Sequence, residues 1–221
     1  ICFNLKTDFD RVTASMPDDR FEELDDIGTV KDIERVLHAE GHETVRLGFG
    51  MPAIAKLQKE RVDLVFNISE GLNGRAREAQ MPAIFDMLGI PCVGSDSLTI
   101  ALALDKAWTK KIVAQAGFAT PAFYTVDNSI QLEQMMENHE LRYPLFVKLS
   151  CEGSSMSIDD HSKVRNAAEL AERVQYLMAT YRGETILVEE FMPGREFTVG
   201  IVGNREPEVV AVMEVVPSDT T

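Results

Sequence analysis

The chain has 221 residues, of which 45% are hydrophobic, so it can bury one large core or two smaller ones. Its 36 acidic and 22 basic side chains give a formal net charge of −14 at pH 7, which opposes sequence-independent binding to nucleic acid or to an anionic membrane surface. No apolar run approaches the roughly 18 residues of a membrane span, and we expect neither nucleic acid nor a membrane as a partner.

The three cysteines, Cys2, Cys92 and Cys151, are odd in number and widely spaced. They predict neither a disulfide framework nor a metal site, and this usage fits a cytoplasmic protein in a reducing environment. The chain begins at Ile1 without an initiator methionine, inside a predicted strand, so we expect further sequence to precede it.

The first 94 residues alternate predicted strands with predicted helices, which is typical of a parallel sheet. The expected strands cover residues 1–5, 43–47, 62–68 and 90–94. The expected helices run from an N-cap at Thr29 to Gly41, over residues 51–61, and over residues 79–88 with Gly89 as the C-cap. The acidic stretch Asp8–Asp26 is predicted to be a surface loop.

A long helical run follows, from a cap at Asp96 or Ser97 to Gly117. Ala119-Thr120-Pro121 is then predicted to be an extended linker. We place the domain boundary at this linker, which gives an α/β N-terminal domain, residues 1–120, and a second domain, residues 121–221.

A glycine-rich turn, Gly48-Phe49-Gly50-Met51-Pro52-Ala53, matches the G-x-G-x-x-A dinucleotide fingerprint. It is not the first strand–turn–helix of the chain, and Pro52 restrains the turn. Asp63, the available ribose-binding acid, falls short of the expected spacing of about 20 residues. The pattern therefore favours an ordinary helix N-terminus over nicotinamide binding.

The segment Asn67–Gln80 follows the carboxyl end of a predicted strand, where open α/β sheets bind ligands. Its charges are suited to orienting a zwitterion, and we expect Glu70, Arg77 and Glu78 to bind the substrate. The segment also contains Arg75, and an ordinary ion pair between Arg75 and Glu78 at a helix start would account for these two charges equally well.

The second half is predicted to be α+β with antiparallel strands. Its expected strands cover residues 122–126, 185–191, 196–202 and 209–216, with a hairpin turn at Gly203-Asn204, and a further strand carries Lys148. Its expected helices cover residues 129–139 and 166–181.

The stretch Phe146–Ser157 carries the chemical signal around which the second half is organised. In an extended strand Leu145, Val147 and Leu149 share one face, so Lys148 projects from the other. The turn that follows, Glu152-Gly153-Ser154-Ser155, offers exposed N–H groups and two hydroxyls to an anion. Lysine beside such a turn indicates phosphate binding, although a surface lysine beside an ordinary polar turn has the same pattern.

Lys106 and Lys148 stand in apolar or small contexts, and Glu189 and Glu196 flank a Pro-Gly hinge. Cations neutralise phosphate charge, and carboxylates accept hydrogen bonds from the adenine amino group and from ribose hydroxyls. Each of these four residues taken singly is an ordinary surface charge, but together they suggest a nucleotide site.

Six motifs occur in an order found in one enzyme family. They are G-I-P-C-V-G-S at 89–95, A-L-D-K at 103–106, A-G-F-A-T-P at 116–121, F-V-K at 146–148, E-G-S-S at 152–155 and L-V-E-E-F-M-P-G-R-E-F-T-V at 187–199. In this order they resemble the D-alanine–D-alanine ligase branch of the ATP-grasp superfamily. The resemblance runs from about Val62 to the end of the chain.

The resemblance implies a Rossmann-like, parallel-sheet N-terminal domain, called pre-ATP-grasp, followed by an α+β ATP-grasp domain. The ATP-binding part of the second domain would cover residues 121–191, and residues 192–221 would begin a C-terminal part that is incomplete. The resemblance also implies ATP and Mg²⁺ as cofactors, an amino acid or small peptide as substrate, and a homodimer by family precedent.

The roles implied for individual residues concern the nucleotide. Lys106 and Lys148 would hold the ATP phosphates, and Gly153, Ser154 and Ser155 would belong to the loop that covers them, with Ser154 also catalytic. Adenine would bind to Glu189 and to the backbone of Glu190, Phe191 and Met192, and ribose to Glu196. The implied activity is formation of an acyl phosphate from a carboxylate and ATP, followed by attack of an amine.

The chain departs from the family pattern in three places. The glycine-rich, glutamate-bearing first loop is replaced by Asn4-Leu5-Lys6-Thr7-Asp8, and the histidine-glycine motif by Ser69-Glu70-Gly71. We therefore expect D-alanine to be a poor substrate. The chain also stops at Thr221, before the part that carries the family's Mg²⁺ ligands and oxyanion-binding arginine, so we expect the metal ligands beyond Thr221.

Two function classes follow from these observations. The motif order favours an ATP-dependent carboxylate–amine ligase that joins amino acids or a small peptide. The alternative is a nucleotide-binding module or degenerate ligase without catalytic activity, which the expected absence of the metal ligands favours. A nicotinamide oxidoreductase depends only on the turn at Gly48 and Gly50.

Overall fold

The computed structural model of the chain describes residues 1–9, 17, 19–138 and 140–216. It divides into two compact units, one from Ile1 to Glu190 and one from Phe191 onward. Within the described residues, no helix is long and apolar enough to span a membrane. The domain boundary expected near residue 120 lies inside the first unit and stays a prediction.

The segments predicted as N-terminal strands lie side by side in parallel. Cys2 forms parallel bridges with Gly48 and Asn67, and Val65 forms one with Cys92. The Cys2 N–H donates to Phe66 O at 2.9 Å, and Cys2 O accepts from the Ile68 N–H at 2.9 Å. The predicted direction is confirmed, but the strands are wrong in length: each pairing is a single bridge rather than a continuous ladder.

Helices cover these segments on two sides. The first three are α1 (Ile27–Ala39), α2 (Gly50–Leu57) and α3 (Gln80–Leu88). Cys2 packs in one buried cluster with residues of α2 and α3, whereas its neighbours Ile1 and Phe3 pack in another with Val30 of α1. Alternate residues of an extended segment point to opposite faces, which explains the two clusters.

Aspartates cap two of the helices; the start of α1 differs from the prediction, whereas the cap at Asp96 is one of the two that were predicted. The carboxylate of Asp26 accepts from the Gly28 N–H, so the cap of α1 lies three residues before the expected cap at Thr29. The Asp96 carboxylate accepts from the Thr99 N–H at 2.7 Å and therefore caps α4 (Ser97–Leu104). Gly89 ends α3 in the left-handed region, as predicted.

The single long helix expected from residue 96 to Gly117 is wrong, because the chain breaks at Asp105. This residue has extended backbone angles, and its carboxylate accepts from the Trp108 N–H at 3.1 Å. It thereby starts a new helix, α5 (Lys106–Gln115). The break sets the direction in which Lys106 and the first turn of α5 face.

A four-stranded sheet forms the rest of the first unit. Its strands are β1 (Phe123–Val126), β2 (Leu145–Leu149), β3 (Lys163–Val164) and β4 (Ile186–Glu190), in the order β1-β4-β2-β3. All three pairings are antiparallel, as predicted. Two-residue β3 was not predicted, since a strand of that length leaves no periodic pattern.

Two helices, α6 (Ser129–Asn138) and α7 (Ala167–Thr180), supply the core of this sheet. Leu145, Val147 and Leu149 are at most 1% exposed and pack with Leu170, Val174 and Leu177 of α7. Lys148 therefore projects from the opposite face, which confirms the predicted alternation. The expected end of α6 at His139 lies outside the described residues.

The second unit is an antiparallel hairpin of β5 (Glu196–Val202) and β6 (Glu208–Val215). Gly203 follows β5 with a φ of +110°, which fits the predicted turn. Arg195 donates to the Glu214 carboxylate through Nε and Nη2, both at 2.6 Å, beside the pairing of Phe197 with Glu214.

The core of the sheet yields a prediction for stability. Leu177 is fully buried, so Leu177→Ala removes apolar contacts and leaves a cavity. We expect a loss of about 2–5 kcal/mol in the free energy of unfolding, measured by urea denaturation. Ile130→Ala on the exposed side of α6 is the control and should cost far less. Equal losses for both variants would contradict the assignment of this core.

Candidate functional site

A buried carboxylate held by two lysines lies on the face of the sheet opposite α6 and α7. Glu189 is 8% exposed. Its Oε1 lies 2.6 Å from Lys148 Nζ and its Oε2 lies 2.6 Å from Lys110 Nζ. Burial alone would raise the pKa of Glu189, but the hydrogen bonds from Lys110 and Lys148 outweigh it and lower that pKa. The carboxylate is therefore ionised at neutral pH.

Local structure explains why these three side chains meet. In the β2–β4 pairing Phe146 lies opposite Glu189, so Lys148 is the diagonal neighbour of Glu189 on the same face. On α5, Lys106 and Lys110 are four residues apart and share one side of the helix. The cap at Asp105 turns that side toward the sheet, since Lys106 N–H donates to Ser150 O at 3.0 Å, at the end of β2.

Lys106 joins α5 to the loop after β2. Its ammonium donates to Ser150 O at 3.4 Å and to Glu152 O. Burial lowers the pKa of Lys106, and the nearby charge of Lys148 lowers it further. The charges of the two predicted phosphate-binding lysines thus interact, with Lys148 in β2 and Lys106 bonded to the loop that follows it.

The loop after β2 has an unusual backbone. Ser154, Ser155 and Ser157 all have positive φ, between 44° and 65°, although none is glycine. Ser154 and Ser155 are exposed. Consecutive residues in such turns direct N–H groups into a concave surface that suits anions. The predicted role of this loop stays a prediction, but its geometry is compatible with it.

Two N–H groups of this loop are bonded to carboxylates from the N-terminal part of the chain. Gly153 N–H donates to Glu23, and Ser157 N–H donates to Asp19 Oδ2 at 2.8 Å. Tyr181 also donates its hydroxyl proton to Asp19, with both oxygens at 2.7 Å. The expectation of a surface loop over Asp8–Asp26 is wrong here, because these carboxylates satisfy backbone donors of the second half. Residues 10–16 and 18 lie outside the described chain.

Arg77 occupies the centre of a buried network. Its Nη1 donates to Cys151 O at 2.7 Å, and its Nη2 donates to Glu23 at 2.6 Å and to Glu152 at 2.9 Å. Burial alone would lower the pKa of Arg77, but these carboxylates raise it. Three acceptors within the protein bind the guanidinium. Arg77 would therefore affect a substrate indirectly, by positioning Glu23, Glu152 and the Cys151 carbonyl.

The ion pair expected between Arg75 and Glu78 is wrong. Arg75 instead donates to Asp105 Oδ2, from Nε at 2.8 Å and Nη2 at 2.5 Å. The break before α5 places the Asp105 carboxylate within reach of Arg75, and both Arg75 donors bond to the same oxygen of this buried carboxylate. Asp105 thus serves both as helix cap and as ion-pair partner.

Glu70 and Glu78, predicted to bind the substrate, lie together with Glu23. One oxygen of each of the three carboxylates lies within 4.8 Å of the others. Burial raises the pKa of Glu70 to about 7, and the charges of Glu78 and Glu23 add to the shift. Burial also raises the pKa of Glu78. The group can therefore hold a proton near neutral pH.

The remaining predicted positions follow in the chain from the end of β4. Glu190 ends the strand, and its Oε1 accepts from the Arg142 N–H at 3.1 Å. Phe191, Met192 and Glu196 belong to the second unit, where Phe191 is half-buried and the other two are exposed. Their assignment to adenine and ribose stays a prediction.

The glycine-rich turn at residues 48–53 is an ordinary helix start. Phe49 is the N-cap of α2, and Gly48 and Gly50 have φ values of 74° and 66°. These angles explain the glycines without a dinucleotide, in agreement with the interpretation favoured from the sequence.

Sequence reasoning missed three residues of the site. Lys110 follows Lys106 by four residues on a predicted helix, a spacing that places both on one side, so this signal was present. Asp19 and Glu23 offered no signal, because they lie 138 and 130 residues from the loop positions that they contact.

Comparison with known proteins identifies relatives of the chain. Residues 112–221 match the family described as D-ala D-ala ligase C-terminus. The D-alanine–D-alanine ligase of Pelotomaculum thermopropionicum is 30% identical over 190 residues, which cover 83% of this chain and 58% of the relative. The D-alanine–D-alanine ligase of Halalkalibacterium halodurans is 35% identical over 191 residues, which cover 86% of this chain and 60% of the relative. The chain thus spans less than two thirds of the length of these curated relatives.

Solved structures give the same likeness. The VanG D-Ala:D-Ser ligase from Enterococcus faecalis matches with a TM-score of 0.59 and 34% identity, over 70% of this chain and 43% of that one. A D-alanine–D-alanine ligase from Bacillus anthracis, solved in complex with ATP, matches with a TM-score of 0.62. The match covers 95% of this chain and 69% of that one. Its identity is 19%, so this second likeness is one of fold alone.

The raised pKa of Glu70 yields a prediction for stability against pH. The folded chain keeps the Glu70 proton up to about pH 7, whereas the unfolded chain releases it near the ordinary value of 4.5. This group therefore makes the free energy of unfolding fall as pH rises between these values. Glu70→Gln removes that contribution, so we expect its stability relative to the parent to increase with pH, measured by urea denaturation from pH 4.5 to 7.5.

Glu60→Gln, at an exposed position, is the control and should follow the parent at every pH. A constant difference in stability between Glu70→Gln and the parent across this range would contradict the burial of an ionisable carboxyl at position 70.

Proposed function

The chain belongs to the D-alanine–D-alanine ligase-like branch of the ATP-grasp superfamily, and we propose that the protein of which it forms all or part is an ATP-dependent carboxylate–amine ligase. It would join amino acids or a small peptide through an acyl phosphate. The observation that carries this proposal is the group of Glu189, Lys110, Lys148 and Lys106 on one face of the antiparallel sheet, beside the Gly/Ser loop.

We assign the nucleotide to this face. Lys106 and Lys148 would contact the phosphates, because two ammonium groups kept close together in a chain of net charge −14 are stabilised by an anion between them. Gly153, Ser154 and Ser155 would cover the phosphates. The ionised Glu189 would accept from the adenine amino group, which a guanine O6 acceptor could not replace.

The rest of the adenosine would contact the chain after β4. The backbone of Glu190, Phe191 and Met192 would bind adenine, and Glu196 would bind the ribose hydroxyls. These assignments depend on the motif L-V-E-E-F-M-P-G-R-E-F-T-V at residues 187–199.

The proposed chemistry follows from the low reactivity of carboxylates toward nucleophiles. A substrate carboxylate oxygen would attack the γ-phosphorus of ATP, and ADP would leave. The amine of the second substrate would then attack the carbonyl carbon, lose a proton and displace phosphate. The chain's own contribution is to neutralise charge with its lysines and to hold the reacting groups in place, with the Ser154 hydroxyl within the covering loop.

Glu70 and Glu78 would receive the amino-acid end of a substrate. An ammonium group bound there would favour the ionised form of these two carboxyls, and Arg77 would act from its buried position by fixing Glu23 and Glu152. Because Ser69-Glu70 stands where the D-alanine enzymes have a histidine-glycine motif, we propose a substrate other than D-alanine.

Further features of the family belong to this proposal. The N-terminal part would be a Rossmann-like pre-ATP-grasp domain, residues 1–120, ahead of an ATP-grasp domain from residue 121, and the protein would be a cytoplasmic homodimer. Bound Mg²⁺ would neutralise phosphate charge during transfer. Among the described residues, Glu23, Glu70 and Glu78 form a group of three carboxylates close enough to share an ion, but Glu23 is paired with Arg77, which disfavours this group as the Mg²⁺ site.

That pairing is also the observation that favours the second candidate, a nucleotide-binding module or degenerate ligase without activity. The two candidates share the nucleotide site and differ in turnover. The product of the complete gene, supplied with Mg²⁺ and ATP, separates them by amino-acid-dependent release of ADP.

For a ligase we expect ADP release that depends on an amino acid or dipeptide, with D-alanine among the poorer substrates. Ser154→Ala in the same protein should lower the rate while ATP still binds. Nucleotide binding without turnover on any amino acid or dipeptide tested would favour the second candidate, and D-alanine as the best substrate would refute the proposed role of Glu70.

The phosphate contacts can be tested on the 221-residue chain. Replacing Lys148 or Lys106 by Ala should weaken binding of a non-hydrolysable ATP analogue by ~1.5–3 kcal/mol, because each lysine would make a charge-assisted hydrogen bond. Titration calorimetry measures this. Lys56→Ala, on α2, is the control and should bind like the parent. Unchanged affinity in Lys148→Ala would sink the phosphate assignment.

A further inference from the structure

Glu189 has one more cation than a single carboxylate requires. Lys110 and Lys148 each place Nζ 2.6 Å from a different oxygen of Glu189, and Lys106 lies close enough to Lys148 for their charges to interact. One lysine would be enough to balance the charge of Glu189. The second ammonium therefore needs an explanation.

The two lysines differ in their surroundings. The Lys110 side chain is 10% exposed, donates also to Thr120 Oγ1 at 2.9 Å, and lies 5.2 Å from the centroid of the Phe123 ring. The Lys148 side chain is 21% exposed and lies 5.5 Å from the centroid of the Phe146 ring. Lys110 is enclosed by fixed partners, whereas Lys148 is closer to the solvent-facing side of the site.

We propose that Lys110 is a positioning residue that keeps Glu189 paired, so that Lys148 can leave Glu189 and bind a nucleotide phosphate. This inference rests on the proposed function, because it assumes that a nucleotide binds on this face. It assigns a separate task to each lysine: Lys110 stays on the Glu189 carboxylate, and Lys148 moves from that carboxylate to a phosphate of the nucleotide.

The physical reason is the cost of an unpaired buried charge. If Lys148 moved to a phosphate in the absence of Lys110, Glu189 would remain as a buried carboxylate without a cation. That cost would hold Lys148 on Glu189 and withhold it from the ligand. With Lys110 in place, Oε2 keeps its partner, and Oε1 becomes available to the adenine amino group as Lys148 leaves.

The proposal predicts an effect on the phosphates rather than on adenosine alone. We define the phosphate gain as the Kd of adenosine divided by the Kd of a non-hydrolysable ATP analogue, both measured by titration calorimetry on the 221-residue chain. Lys110→Met should reduce the phosphate gain by about tenfold or more, because Lys148 stays on Glu189 and one charge-assisted contact is lost. A merely structural role for Lys110 would weaken both ligands equally.

The matched control is Lys111→Met. Lys111 is the next residue along α5, is exposed, and lies over the ring of Trp108 at 4.7 Å from its centroid. Its replacement changes the net charge by the same amount and should leave the phosphate gain at the parent value. A reduction equal to that of Lys110→Met would mean that net charge alone sets the gain, which would overturn the proposal.

A second comparison uses Glu189→Gln, in which residue 189 carries no charge to trap Lys148. The phosphate gain should survive in this variant, and adding Lys110→Met should reduce it no further. If the double variant loses as much gain as Lys110→Met loses in the parent, Lys110 contacts the phosphate directly and the proposal is wrong. Should Lys110→Met alone fail to fold, the double variant is compared with Glu189→Gln: an equal phosphate gain supports the proposal, and a loss of about tenfold overturns it.

The failure of this inference can be told from the failure of the proposed function. A parent chain that binds neither adenosine nor the ATP analogue would overturn both. If the parent has a clear phosphate gain and Lys110→Met keeps it, whether or not both ligands bind more weakly, the nucleotide site stands and only the task assigned to Lys110 is overturned.

Discussion

The ion pairing of Glu189 is the interaction on which the rest of this site depends. A carboxylate that is 8% exposed is stable only with partners, and its two lysines come from α5 and β2, which are separated in the sequence by the linker and α6. Their pairing with Glu189 of β4 connects these three elements through charge. The hydrophobic core packs against one face of the sheet, and the ion pairs on the other face help to position α5.

A second set of charges connects the N-terminal part of the chain to the loop after β2. Glu23 and Asp19 accept from the N–H groups of Gly153 and Ser157, and Arg77 holds Glu23 and Glu152. The loop with left-handed serines is thus held by long-range carboxylates as well as by its own backbone hydrogen bonds, such as Met156 N–H to Gly153 O. Two of the acidic residues in this segment, Asp19 and Glu23, therefore have a structural role in the second half.

Local patterns in the sequence predicted much of this structure. Alternation around Lys148 predicted which side of β2 faces the core, and turn and cap residues predicted the hairpin and the end of α3. The break at Asp105 was missed because apolar and small residues continue the helical pattern through it, and only the carboxylate's bond to Trp108 N–H shows the new start. Contacts such as Lys110 with Glu189, 79 residues apart, depend on how elements pack, which no local pattern encodes.

The most direct test of this account is a crystal structure of the 221-residue chain with a non-hydrolysable ATP analogue. The account predicts adenine beside Glu189, Lys110 Nζ still within hydrogen-bond distance of the Glu189 carboxylate, and Lys148 Nζ moved onto a phosphate oxygen. A nucleotide bound elsewhere on the chain, or one bound at this face with Lys148 still on Glu189 and no lysine on its phosphates, would contradict it.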